Sequence, residues 1–365
     1  MKKILIIDTT FPVNTRTSRF IKTLSTFLDV FVCAWDRGDY SGNVPDNFAI
    51  LKSKLGYGNR IKKLFSLPLF IFHSYKVAKK NKPEIIFASH WDSLICAVFI
   101  KIFLNLRIFI IYDCLDMPTS SRKSISILLR LIERFNLKFV SLVIFASRHF
   151  KPLYPKYCVS YIFENYPSRS IVENKNINPK WFDGHDLNVI KSRKNIAWIG
   201  VVRYFEVLDN ILNSIVDLDL YFFVFGDGPE LGRLKRRATE LGVSNKVIFF
   251  GRYDSVDLSF IYELSDVVWA AYPTEDFNAI YAISNKYFEC SYFCKVPIFS
   301  KNTKMAKDLA GNRGVFLVNE YSVSEIKDVI LKAINFSNTD FLKYEIDSLW
   351  EEKEVEFVTC LKEIL

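Results

Sequence analysis

The feature that most limits what this chain can fold into is a series of short, unbroken apolar runs separated by longer stretches with helical spacing. In the first half the runs fall at 4–7, 30–33, 85–88, 108–112, 142–145 and 159–163. In the second half they fall at 196–199, 221–225, 247–250, 267–271, 296–299 and 315–318. A strand with one face in water alternates apolar and polar residues. A run without alternation is covered on both faces, as in a parallel sheet between two layers of helices. Helical patterns lie between the runs, among them Ile125, Leu128, Leu129, Ile132 and Phe135, and the stretches 206–215, 229–241, 258–264, 284–293 and 322–334. Pro229 and Gly242 stand where a helix start and a helix stop are expected. The stretch between 164 and 194 is polar and turn-rich. The expected fold class is therefore α/β, with two Rossmann-like doubly wound domains facing a cleft. The domains are expected at 1–170 and 195–338, joined by a linker at 171–194. A helical tail at 339–365, with Trp350, Val355, Val358 and Leu361 on one stripe, is expected to pack back on the first domain.

Composition excludes disorder, since half of the 365 residues are hydrophobic and 33 are Phe. Charge is unevenly divided. Residues 1–180 hold 28 Lys and Arg against 12 Asp and Glu, whereas 181–365 hold 21 against 28. A basic half joined to an acidic half points to an anionic partner for the first domain. The seven cysteines mostly sit in apolar runs, and Cys290 and Cys294 lack a second Cys or His pair, so reduced thiols in the cytoplasm are expected and a zinc site is not. The apolar run 4–7 is too short for a secretory leader. The run 94–111 carries Lys101, Asn105 and Arg107 and reads as a helix followed by a strand, so no membrane span is expected.

No glycine follows the first strand, and neither a P-loop nor a Gly-x-Ser-x-Gly turn occurs, which argues against nicotinamide, P-loop and serine-hydrolase chemistry. The second half is richer. Gly226-Asp227-Gly228-Pro229 follows a strand and opens a helix, where backbone can approach a phosphate or ribose. Val247 to Tyr253 is a strand ending in Gly251, with Tyr253 just beyond. Ser284-Asn285-Lys286-Tyr287-Phe288-Glu289 opens a further helix ahead of Lys295-Val296-Pro297-Ile298.

This ordered series, over about 195–318, resembles the nucleotide-binding domain of GT-B glycosyltransferases, most closely family 4 enzymes of bacterial surface-polysaccharide assembly. The resemblance implies that Glu289 accepts hydrogen bonds from the nucleotide ribose, that Asn285 and Lys286 face its diphosphate, and that Arg203 neutralises the leaving diphosphate. Gly226, Gly228 and Tyr253 complete the expected donor set. In the first domain Ser89-His90-Trp91-Asp92 and Tyr112-Asp113-Cys114-Leu115-Asp116 match more loosely. His90 resembles a histidine beside the donor sugar, and Asp92, Asp113 or Asp116 would be the base if the enzyme inverts. Family 4 enzymes often carry a glutamate eight positions before the ribose-binding one. Here that position is Tyr281, with Glu275 or Asp276 as stand-ins.

The segment 51–82 holds nine basic residues and no acid, with Leu64, Phe65, Leu67, Leu69, Phe70, Ile71 and Phe72 between the basic clusters. It is expected to touch an anionic membrane surface. The expected function is transfer of a sugar from a nucleotide-sugar donor to a saccharide or lipid-linked saccharide, with retention, with no metal and no cofactor beyond the donor. The place is the cytoplasm, peripheral at the inner face of the cell membrane. Asp217-Leu218-Asp219 reads as a turn rather than a metal-holding motif. The alternatives are a non-catalytic sugar- or nucleotide-binding subunit and a basic membrane- or nucleic-acid-binding protein. The interleaving of Phe and Leu with the basic residues speaks against nucleic acid.

Overall fold

Strands without alternation need cover on both faces, and the structure provides it twice. The structure, a computed structural model, describes residues 1–56, 60–120, 122–174, 179–345 and 348–365, and it leaves the side chains of residues 60 and 61 undescribed. Contacts divide the chain into one unit of Met1–Glu164 with Glu354–Leu365 and a second of Asn165–Lys353.

The first unit is built on a seven-stranded parallel sheet. Its strands are β1 (Lys3–Asp8), β2 (Asp29–Asp36), β3 (Phe48–Lys52), β4 (Ile85–Ala88), β5 (Phe109–Cys114), β6 (Leu142–Phe145) and β7 (Ser160–Ile162), in the order β3-β2-β1-β4-β5-β6-β7. Ile4 of β1 pairs with Val30 on one side and Ile85 on the other. The side chains of Ile4, Leu5, Ile6 and Ile7 are all fully buried, which is why the run is continuous. The strand β3 is absent from the sequence reading. It is a half-buried edge strand whose last two residues were assigned to the basic segment. The segment 51–82 therefore divides between the end of β3 and a helix at Arg60–Asn81, with residues 57–59 outside the described residues.

Helices Arg60–Asn81, Trp91–Phe103 and Lys123–Asn136 connect β3 to β4, β4 to β5 and β5 to β6. All three crossovers step the same way across the sheet, so right-handed connections place them on one face. Helix Thr15–Leu24 steps the other way and covers the opposite face. There the ring of Phe357, from helix Trp350–Ile364, lies 5.6 Å from Phe20 and 5.5 Å from Phe163.

One expected stripe is corrected, and one helix of the expected spacing buries its polar side. In the last helix the buried side chains are Trp350, Phe357 and Leu361, whereas Val355 is exposed. Residues 350, 357 and 361 share a face at a spacing of seven and four, and Val355 lies off it. In helix Lys123–Asn136 the inward residues are Glu133 and Asn136, while Leu128 and Phe135 are exposed. Glu133 Oε1 accepts hydrogen bonds from the hydroxyls of Tyr112 and Tyr154, each at 2.6 Å, which is what draws this side inward.

The second unit holds a six-stranded parallel sheet of β8 (Asn195–Ile199), β9 (Tyr221–Phe225), β10 (Val247–Gly251), β11 (Val267–Trp269), β12 (Val296–Ser300) and β13 (Phe316–Val318). Their order is β10-β9-β8-β11-β12-β13. Pro229 lies in the turn before its helix, which runs Leu231–Glu240. The stretch 171–194, of which 175–178 lie outside the described residues, adds Ile171, Val172 and Ile190 to the core on one face of this sheet. Trp181 stacks edge-on against Phe225 and Phe250 at 5.5 and 5.6 Å. Residues 346–347 of the expected tail also lie outside the described residues.

From Glu354 onward the last helix is a structural part of the first unit. Phe357→Ala is expected to cost that unit about 3–5 kcal/mol, the usual range for emptying a buried phenylalanine site. A urea titration followed by near-ultraviolet circular dichroism reads this, and an unchanged midpoint contradicts it.

Candidate functional site

In a parallel sheet every strand delivers its next residues to the same edge, so polar groups excluded from the strands collect at the carboxyl ends. In the first unit these ends carry Asp8, Thr9, His90, Asp92, Asp113 and Asp116. Asp8 accepts hydrogen bonds from the backbone and hydroxyl of Thr10 at 2.9 and 2.7 Å and from Asn14 Nδ2 at 3.3 Å. Asn14 caps helix Thr15–Leu24 and lies 3.4 Å from His90 Nε2. His90 itself precedes helix Trp91–Phe103 with extended backbone and is half-buried.

Two of the expected bases are tied down. Asp92 is buried, and its Oδ2 accepts from Thr9 Oγ1 at 3.0 Å and from Lys63 Nζ. Burial opposes its ionisation, but the Lys63 ammonium, with His90 behind it and hydrogen bonds from Lys63 and Thr9, outweighs that and holds the carboxyl below its ordinary range. Asp113 is also buried, and both its oxygens accept from Arg16 at 2.9–3.1 Å. Arg16 further donates to the carbonyl of Phe163 at 2.7 Å. Such a bidentate pair joins the first helix, β5 and the end of β7. Asp116 is exposed, on the loop after β5.

In the second unit the loops after β8, β9 and β10 interlock. The Gly200 amide donates to Phe225, the Val202 amide to Asp227 and the Gly226 amide to Gly251, at 2.7–3.0 Å. A Cβ on Gly226 would lie 2.0 Å from the Gly200 carbonyl oxygen, and one on Gly228 would lie 2.3 Å from that of Val202. Both glycines are thus required by backbone contact between loops, whatever ligand approaches. Arg203, next in this loop, is exposed with its guanidinium 4.7 Å from the Tyr204 ring centre.

Lys286 and Glu289 are one turn apart in helix Asn285–Tyr292, which Ser284 caps by accepting from the Lys286 amide. Both are buried, and Asn285 is exposed. Lys286 Nζ donates to Glu289 Oε2 at 2.6 Å, and the Tyr262 hydroxyl donates to the same oxygen at 2.6 Å. Burial works against the Lys286 ammonium, but Glu289 and then Tyr253 and Tyr272 outweigh it and hold its pKa above the usual lysine range. Burial raises the Tyr253 phenol in turn, with Lys286 pulling it back. The structure therefore brings together Lys286, Glu289 and Tyr253 of the expected set. It adds Tyr262, which sits in apolar surroundings and gives no signal in the sequence, and Tyr272, which the sequence marks as the close of the run 267–271 just before Pro273.

Tyr281 stacks on Phe277 at 4.6 Å with the Lys304 ammonium 5.4 Å from its ring centre. Asp276 caps that short helix by accepting from the Asn278 amide. Glu275 is exposed. Among the described residues no group of three or more His, Cys, Asp and Glu is placed to hold a metal ion.

Removing Lys63 leaves the Asp92 charge buried and unpaired. Lys63→Met is expected to lower stability by about 3 kcal/mol, and adding Asp92→Leu is expected to restore most of it. Because the folded Asp92 titrates below its unfolded value, this contribution is complete above pH about 4 and is lost as the pH falls further. The difference between parent and Lys63→Met in urea midpoints should close below that pH. A gap that persists there contradicts the pairing.

Residues 188–340 match the family described as glycosyl transferases group 1. Sucrose-phosphate synthase from Thermosynechococcus elongatus aligns over 100% of this chain and 99% of its own, with a TM-score of 0.75 and 11% identity. Anabaena HepE in complex with UDP aligns over 99% and 100%, with a TM-score of 0.71 and 12% identity. A glycosyltransferase from Rickettsia africae aligns over 100% and 98%, at 0.66 and 14%. No curated protein matches the chain. Two parallel Rossmann-like sheets with these likenesses make the GT-B fold, and the chain is a glycosyltransferase of that fold whose group 1 domain spans residues 188–340.

Proposed function

We propose that the chain transfers a sugar from a nucleotide-sugar to a saccharide or lipid-linked saccharide acceptor in bacterial surface-polysaccharide assembly. The observation that carries this reading is the buried Lys286–Glu289 pair at the start of helix Asn285–Tyr292, inside the group 1 domain. Glu289 already takes both of its short hydrogen bonds on Oε2, so Oε1 serves the two ribose hydroxyls. Lys286, with Arg203 and Asn285, meets the diphosphate. The bond between the sugar's anomeric carbon and the diphosphate oxygen breaks, and the acceptor oxygen bonds to that carbon. The acceptor approaches from the face that the diphosphate leaves, so the anomeric configuration is retained, and its proton goes to the departing phosphate, so no enzymic base is needed. Cationic side chains stabilise the charge that builds on the leaving group, so the reaction runs without a metal. This suits a first unit whose Asp92 and Asp113 are committed to Lys63 and Arg16.

In this reading His90 lies beside the donor sugar, and Asp116 remains the candidate base should the enzyme invert. The enzyme works in the cytoplasm at the inner face of the membrane, with 51–82 against anionic lipid. Among the described residues no helix is long and apolar enough to cross a membrane. Helix Arg60–Asn81 exposes Leu64, Phe65, Leu69 and Phe72 beside its lysines. Tyr281, where the resemblance has a glutamate, favours one rival, a subunit that binds nucleotide but does not catalyse.

UDP is the first nucleotide to test, because HepE of the same fold was solved with it. Calorimetry with UDP, GDP, ADP, CMP and dTDP should show binding of one of them. Glu289→Ala should weaken it about 100-fold or more, the loss expected for two hydrogen bonds to a charged group. Sugar release from the matching nucleotide-sugar should be unchanged in EDTA. Binding of none overturns the donor reading, and binding without turnover on any acceptor selects the non-catalytic one.

A further inference from the structure

Helix Lys123–Asn136 is inverted. Its inward side carries Glu133 and Asn136, while Leu131 and Phe135 are 59% and 58% exposed and Leu128 and Ile127 stand beside them. Ile127, Leu128, Leu131 and Phe135 fall at i, i+1, i+4 and i+8, which at about 100° per residue places them within one helical stripe about 100° wide. A helix that turns its carboxylate to the protein and its leucines outward has a second apolar phase to meet. Its neighbours on the same face of the sheet share the property. Helix Trp91–Phe103 and the turn after it expose Phe103 and Leu106, at 63% and 67%. Helix Arg60–Asn81 exposes Phe65 at 79% and Phe72, whose ring lies 6.1 Å from Phe99, itself 4.5 Å from Phe103. Three adjacent helices thus present one apolar face, far larger than singly scattered surface leucines explain.

The charge around that face says what covers it. Residues 60–139 hold 14 Lys and Arg against five acids. Of those acids Asp92, Asp113 and Glu133 are buried, and the two exposed ones, Glu84 and Asp116, sit at strand ends rather than on the helices. On the inverted helix and its two ends Arg122, Lys123, Arg134 and Lys138 are exposed beside the apolar stripe. An apolar stripe rimmed by cations and lacking acids is complementary to an anionic bilayer surface, where the side chains enter the acyl boundary and each cation near the headgroups adds about 1 kcal/mol.

We propose that helix Lys123–Asn136 is a lipid-inserting element, and that the membrane-contacting surface of the first unit is the three-helix face rather than the segment 51–82 alone. This rests on the membrane reading of 51–82 given above and extends it to a second, sequence-distant element. In orientation, the helix lies in the interface plane with Leu128, Leu131 and Phe135 in the acyl boundary and Glu133 turned to the protein.

The test is flotation of the full chain with vesicles of phosphatidylglycerol and phosphatidylcholine in equal parts, and with phosphatidylcholine alone. The parent should bind the anionic vesicles and lose binding at high salt. The combined variant Leu128→Ser, Leu131→Ser and Phe135→Ser should bind about tenfold or more weakly, with its thermal midpoint held because the residues are exposed. In a separate variant, the indole of Leu131→Trp should be quenched by brominated lipid beyond the parent's own quenching. Binding of the serine variant within twofold of the parent, once Phe65→Ser with Phe72→Ser has been shown to abolish it, overturns this inference and leaves the 51–82 reading standing. A parent that binds no vesicle overturns both. A parent that is a dimer which the serine variant makes monomeric, with no vesicle binding, assigns the face to a second copy and overturns the lipid assignment. Equal binding to the uncharged vesicles overturns the role of the cations.

Discussion

Everything in this molecule is arranged around two parallel sheets with helices on both faces. Parallel strands covered in this way admit almost no polar side chain, so charge and hydrogen-bonding capacity are pushed to the strand ends. The carboxyl ends of β1, β4 and β5 accordingly carry aspartates, and those of β8 to β11 lead into the glycine loops, Tyr253, Tyr272 and Lys286. The site is a by-product of what the sheet interior excludes.

Once gathered there, buried carboxylates differ only by their partners. Asp113 has Arg16, Asp92 has Lys63, Glu133 has two tyrosine hydroxyls, and Glu289 has Lys286 and Tyr262. A carboxylate gripped through both oxygens by a guanidinium is a fastening. One that carries both its short bonds on a single oxygen, in a loop-lined edge beside a lysine, has capacity left for a ligand. This distinction separates Glu289 from Asp113 more sharply than residue type does.

How much of this could be read in advance follows from the range of the forces involved. The run 4–7 was legible as a buried strand because burial on both faces leaves a continuous local mark. The strand β3 was not, since an edge strand with intermediate burial has a weaker pattern. Periodicity located helix Lys123–Asn136 but not the face it buries, because a stripe fixes a direction and not what lies along it. Likewise Val355 joined a stripe by composition that Phe357 occupies in space. The partners Lys63 and Tyr262 stand 29 and 27 positions from the carboxylates they serve, and nothing local marks them. Lys286 and Glu289 were found because they sit three residues apart at a helix start, within a series already resembling a known domain.

The first unit is not continuous in the chain: residues 354–365 belong with residues 1–164. The part made first on the ribosome is therefore the part finished last. At about 5–20 residues per second, translation of the intervening stretch takes roughly 10–40 s. Throughout that time the pocket that takes Phe357, against Phe20 and Phe163, stands open. The nascent first unit is a natural client for chaperones that hold apolar surfaces, while the second unit, continuous from Asn165 to Lys353, needs no such wait.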